Sequence, residues 1–174
     1  MRTLSQLLGV ILMKPHQELY RLMVELLDKK FGDKVVKYED GNHVTIGETG
    51  IWLSVDETEL TVGFDVTHTH YHEEYDDMNI AVDRFFNLLT SRIRMTRKSK
   101  GNKFYWDKNE IELMDGETDL LGSVRHEEIG TSVAFFVPFW KKTKETVSYT
   151  EKLIDRHEIE QEIKEIKDYA QQLL

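Results

Sequence analysis

From residue 43 to residue 66 the chain alternates apolar and polar residues and is broken at short intervals by turn formers, a pattern that suits strands and not a helix. Ile51, Leu53 and Val55 alternate with Trp52, Ser54 and Asp56, and Leu60, Val62, Phe64 and Val66 alternate with Thr61, Gly63, Asp65 and Thr67. Successive side chains of a strand point to opposite faces, so each run has one apolar and one polar side. Asp56-Glu57-Thr58-Glu59 joins the two runs, which read as an antiparallel hairpin. Just upstream, Val35–Tyr38 and His43–Ile46 flank Glu39-Asp40-Gly41-Asn42, a further turn signal.

Helical patterns bracket this strand region. Pro15 suits a first helical turn, where its missing N–H costs nothing. Leu19, Leu22, Met23, Leu26 and Leu27 then recur at spacings of three and four, Lys29 and Lys30 fall in the last turn, and Gly32 supplies the stop. A second helix is expected over roughly 75–89, with Met78, Ala81, Val82, Phe85, Leu88 and Leu89 on its apolar face. Beyond it, Arg92–Thr96 and Lys103–Trp106 surround Lys98-Ser99-Lys100-Gly101-Asn102 as a hairpin, and Ile111–Met114, Leu120–Val124 and Thr131–Phe139 add up to three strands. A third helix is expected over about 150–174, where Ile159, Ile163, Ile166, Ala170 and Leu173 make a narrow seam. That seam packs along the sheet or pairs with a second copy as a homodimer. Consecutive strands joined by short turns imply antiparallel pairing. The expected class is therefore α+β, with about 7–9 antiparallel strands in one or more sheets and N-terminal, central and C-terminal helices.

At 174 residues the chain suits one domain, taken as 13–174. Residues 1–12 read either as an upstream extension or as an added apolar helix turn. No apolar run reaches the length of a membrane span, so no membrane partner is expected. Zero Cys excludes disulfides and thiolate chemistry and fits a cytoplasmic protein.

Thr67-His68-Thr69-His70-Tyr71-His72-Glu73-Glu74 is the segment richest in chemical groups. If the preceding strand continues through it, His68, His70 and His72 share a face with Val62, Phe64 and Val66 and close the end of the buried side. Such imidazoles can hold Zn²⁺, with Glu73, Glu74, Asp76 or Asp77 as an oxygen ligand. The segment is similar to the H-x-H-x-D-H hallmark of metallo-β-lactamase-type hydrolases at His68 and His70. It departs from that hallmark at His72, where Asp is required, and at Glu73, where the last His is required. A metal-dependent hydrolase using these three histidines is the alternative reading; the first reading assigns no cofactor and no catalytic residue. No nucleophile elbow, phosphate loop, dinucleotide fingerprint or H-E-x-x-H motif is present.

Charge is unevenly distributed. The net charge is −9, and between Lys37 and Arg84 there are 12 acidic residues and no Lys or Arg. Such a surface repels nucleic acid and speeds encounter with a basic protein. Asp56, Glu57, Glu59, Glu73, Glu74, Asp76 and Asp77 are the candidate binding residues. In contrast, Arg92, Arg94, Arg97, Lys98, Lys100, Lys103 and Lys108 interleave with Phe104, Tyr105 and Trp106. A basic, aromatic run of this kind can bind nucleic acid, but Lys on a hairpin also blunts a sheet edge, and the second account is preferred.

The stretch from Glu59 to Lys103 combines an amphipathic strand, THTHYHEEYDD, a helix carrying Ala81, Phe85, Phe86 and Leu89, and a hairpin carrying Lys100-Gly101-Asn102-Lys103. In this it resembles small bacterial proteins of the toxin-immunity kind. The resemblance implies a cytosolic, non-catalytic protein that blocks a cognate toxin, often a basic nuclease, through an acidic surface. The basic hairpin does not belong to a purely acidic decoy and leaves the partner face open.

Overall fold

The computed structural model describes residues 13–38, 40–74, 76–101, 103–113, 116–125 and 142–173. Residues 1–12, Tyr75 at the expected start of the second helix, His126 and the expected strand Thr131–Phe139 lie outside them. Helix α1 (Pro15–Phe31) leads into β1 (Val35–Lys37), β2 (His43–Ile46), β3 (Ile51–Val55), β4 (Glu59–Phe64) and β5 (Thr67–His72). Helix α2 (Met78–Thr90) precedes β6 (Arg92–Lys100), β7 (Lys103–Glu112), β8 (Thr118–Arg125) and β9 (Thr143–Tyr149), and α3 (Glu160–Leu173) follows. The class is α+β as expected. Among the described residues nine strands fall into two antiparallel sheets, one of five in the order β1-β2-β3-β4-β5 and one of four in the order β8-β7-β6-β9.

The first sheet turns one face inward. Val44 pairs with Leu53, Leu53 with Val62, and Val62 with Thr69, so these four share a side. That side meets the buried stripes of α1 and α2, including Leu19, Met23, Leu27, Ala81, Phe85 and Leu89. Helix α3 covers α1 and α2 with Ile163, Ile166 and Ala170, and Ile159 just before it joins them; all four are buried. The seam considered for a homodimer is thus packed on the chain's own body. Its flanks are fixed by Lys30–Glu162 at 3.0 Å and Lys167–Asp83 at 2.6 Å.

Four boundaries differ from the sequence expectation, each for a local reason. The strand through Val66 does not continue into the histidines: β4 stops at Phe64, and Asp65 at φ +49° turns the chain back so that Phe64 pairs with Thr67. Asp tolerates this left-handed region better than most residues, so a two-residue hairpin forms without Gly or Asn. Helix α2 starts at Met78, after Asp77 caps it by accepting the Asn79 N–H at 2.9 Å. Helix α3 starts ten residues later than the seam suggested, at Glu160. Before it, the Leu153 and Ile154 N–H groups donate to the Leu89 carbonyl at 2.9 and 3.3 Å, satisfying an acceptor that the end of α2 leaves open. The basic hairpin is longer than expected, because Lys98–Lys100 and Asp107–Glu112 are paired strand.

Candidate functional site

The carboxylates picked from the sequence gather at one end of the first sheet, where the β3–β4 turn, the end of β5 and the start of α1 meet. Asp56 organises the turn. Its Oδ1 accepts the Thr58 N–H at 2.7 Å, the Glu59 N–H at 2.9 Å and the Thr58 hydroxyl at 3.0 Å. These bonds, led by the Thr58 N–H, hold its carboxyl below the usual range despite partial desolvation. Asp76 Oδ2 accepts the His72 N–H at 2.8 Å, and Asp77 caps α2. Glu57 and Glu74 are exposed.

His16 on α1 stitches this end together. It is fully buried, with Nδ1 2.7 Å from Glu73 Oε2 and Nε2 3.1 Å from the Asp56 carbonyl oxygen. Both neighbours are acceptors, so the ring donates to both only when each nitrogen carries hydrogen. Lys14 Nζ donates to the Glu57 carbonyl at 2.7 Å, a second tie between α1 and the same turn. A lone His within an amphipathic helix gives no sequence signal of this role.

The three histidines of β5 sit differently from the expectation. Because the chain reverses at Asp65 and Val66, His68, His70 and His72 stand opposite Gly63, Thr61 and Glu59 of β4. They therefore lie on the outer face, not with Val62 and Phe64 on the inner one. His68 and His70 are exposed and His72 is half-buried. One Glu59 oxygen meets His70 Nδ1, which also lies 3.1 Å from Thr61 Oγ1. The other Glu59 oxygen is 3.0 Å from His72 Nε2.

The outer face also carries residues the sequence reading did not single out. Tyr38 meets His43 edge-on at 4.7 Å between ring centroids, and His43 stacks on Trp52 at 5.3 Å. Trp52 approaches His68 at 5.6 Å, and His68 meets His70 at 4.8 Å with the rings nearly perpendicular. The row skips β4 because Gly63 lies there: an added Cβ would stand 2.0 Å from Trp52 Cε2. Trp52 covers the glycine and donates its Nε1–H to the Asp65 carbonyl at 3.0 Å. The signal for this row is sheet register, which single-strand periodicity does not contain.

Among the described residues, the one set of three potential ligands with donor atoms all within 4.8 Å of one another is Asp155, His157 and Glu158. Asp155 there is bonded to Lys152, and His157 and Glu158 are exposed. The basic stretch on the second sheet is largely partnered. Arg97 pairs with Asp107 through Nε at 2.8 Å, Lys108 with Glu110 at 2.6 Å, and Lys98 lies 4.6 Å from the Trp106 ring centre. A cleft of about 570 Å³ separates this sheet from the β4–β5 turn and is lined by Asp65, Thr67, Met95, Arg97 and Asn109.

Burial at that cleft pushes the Asp65 carboxyl up from its ordinary value, with Arg97 pulling the other way. A carboxyl raised on folding contributes stability below its unfolded value, and that contribution is lost as pH rises through the folded value. Asp65→Asn removes the charge and keeps a residue that accepts positive φ. The expected result is a higher Tm at neutral pH and no difference below about pH 3.5, where both side chains are neutral. Thermal melts across that range check this; a lower Tm at neutral pH contradicts it.

Compared with protein-family models, curated proteins and solved structures, the chain matches none. Among the described residues, no helix is long and apolar enough to cross a membrane.

Proposed function

We propose that this chain is a non-catalytic binding module whose acidic end receives a basic protein, in the manner of an immunity protein that blocks a toxin. The observation that carries the reading is the convergence of Asp56, Glu57, Glu59, Glu73, Glu74, Asp76 and Asp77 on one end of the sheet. They come from a stretch with 12 acidic side chains and no Lys or Arg. His16 and Asp56 hold the two acidic loops at fixed positions, so the charges are presented without an ordering cost at encounter. On this reading the protein acts in the cytoplasm and uses no cofactor.

The test takes as probe the product of the gene immediately upstream, with cytochrome c as a generic basic control. Stopped-flow mixing should show one-to-one association with the probe and not with the control. The rate should fall at least about tenfold between low and high salt. Glu57→Lys with Glu74→Lys should slow association by about tenfold and leave Tm unchanged, because both side chains are exposed. Absence of a complex, or a complex indifferent to both salt and charge reversal, overturns the reading.

A further inference from the structure

The outer face of β5 presents a strand pair of imidazoles with one ring already oriented. A carboxylate only accepts hydrogen bonds, so a neutral His70 bonded to Glu59 carries its hydrogen on Nδ1 and its lone pair on Nε2. This is the arrangement in which a carboxylate fixes the tautomer of a metal-bound histidine from behind. Thr61 Oγ1, 3.1 Å from the same Nδ1, restrains the ring further. The neighbouring imidazole is already close. Residues two apart on a strand are separated by about 7 Å along the backbone, yet the His68 and His70 ring centroids are 4.8 Å apart. Two nitrogens on a tetrahedral ion at about 2.0–2.1 Å stand about 3.3 Å apart, so a chelate asks His68, the ring without the carboxylate tether, to turn toward His70. Trp52 closes the far side of His68.

We propose that His68 and His70 form a two-histidine chelate for a divalent transition ion, with Glu59 as the residue that positions His70. The donor set is two neutral imidazoles, which suits Cu²⁺, Ni²⁺ and Zn²⁺ and not Mg²⁺ or Ca²⁺. His72 lies outside the donor set, tied to the other oxygen of Glu59. Two protein ligands leave at least two coordination positions open on the exposed face, where water or a donor from another molecule enters. The site shares Glu59 with the acidic end but does not rest on the protein-binding reading, because its donors are the two imidazoles of the outer face.

The test uses the full chain without a polyhistidine tag, stripped with EDTA, and Zn²⁺ or Ni²⁺ as the probe. Calorimetry should give one ion per chain with Cu²⁺ tighter than either. His68→Ala and His70→Ala should each weaken binding by about tenfold or more. Glu59→Gln should weaken it by about 10- to 100-fold and shift the ¹⁵N resonances of His70 toward the other tautomer, a change that loss of packing alone does not produce. His72→Ala and His157→Ala should leave affinity within about threefold. If a variant fails to fold, Ni²⁺ broadening in the unaltered chain decides: the ring signals of His68 and His70 should vanish first. No binding at millimolar ion, broadening centred on His157, or retained affinity in a folded His70→Ala protein overturns the proposal.

Discussion

Gly63→Ala should lower stability by about 2 kcal/mol, in the middle of the usual range for overfilling a packed site. An alanine Cβ would stand 2.0 Å from one Trp52 ring atom and 2.3 Å from another. No side-chain adjustment at residue 63 relieves this, so the indole must leave. It then loses the Nε1–H bond to the Asp65 carbonyl and its contacts with His43 and His68. For a chain of this size about 2 kcal/mol corresponds to a fall in Tm of roughly 4–8 °C. Near-UV circular dichroism should change with it, since Trp52 is the indole that moves. An unchanged Tm and an unchanged near-UV spectrum would show that the indole does not lie on Gly63.

His16→Ala should be costlier, about 2–4 kcal/mol, because it opens space at a fully buried position and strips two acceptors of their partner. Glu73 and the Asp56 carbonyl would both lose a donor, and the β3–β4 turn and the β5–α2 loop would lose their common anchor on α1. Hydrogen exchange should report the damage locally, with faster exchange at Thr58, Glu59 and Asp76 than in β2. A loss confined to α1 itself would mean that the histidine serves the helix and not the acidic end.

Much of the first sheet is readable because β2 and β3 alternate buried and half-buried residues, and β4 keeps the same apolar alternation in its sequence although both its faces are covered. Val44, Ile51, Leu53, Leu60 and Val62 alternate with polar neighbours, and Asp56 marks the turn between β3 and β4. Helix α1 carried its own punctuation in Pro15, Lys29, Lys30 and Gly32, and both ends follow it. The reversal at Asp65 and Val66 was hidden because Val66 continues the apolar alternation, yet it is 66% exposed in a turn. That one reversal is what puts the three histidines on the outer face. Strand β9 has no apolar pattern at all: its seven residues are all exposed, and it exists through backbone pairing with β6. The start of α3 is masked by Glu151–Glu158, whose composition is compatible with helix but whose Leu153 and Ile154 N–H groups donate to the Leu89 carbonyl while the Arg156 side chain donates to Asn87 Oδ1. At the candidate site the carboxylates were visible as a charge run. His16, His43 and Trp52 were not, because only tertiary contact and strand register bring them to it.

Helix α3 lends a temporal dimension to the molecule. Its isoleucines share one core with Leu19, Met23 and Leu27, more than 130 residues earlier in the chain. During translation the outer flank of α1 and α2 therefore stays wet until residues 159–170 leave the ribosome. Closing contacts between residues so far apart in the chain carries a loop-closure cost that neighbouring elements do not bear. Chaperones have their clearest opportunity to bind in this interval, when the two earlier helices still offer a greasy stripe to any passing surface.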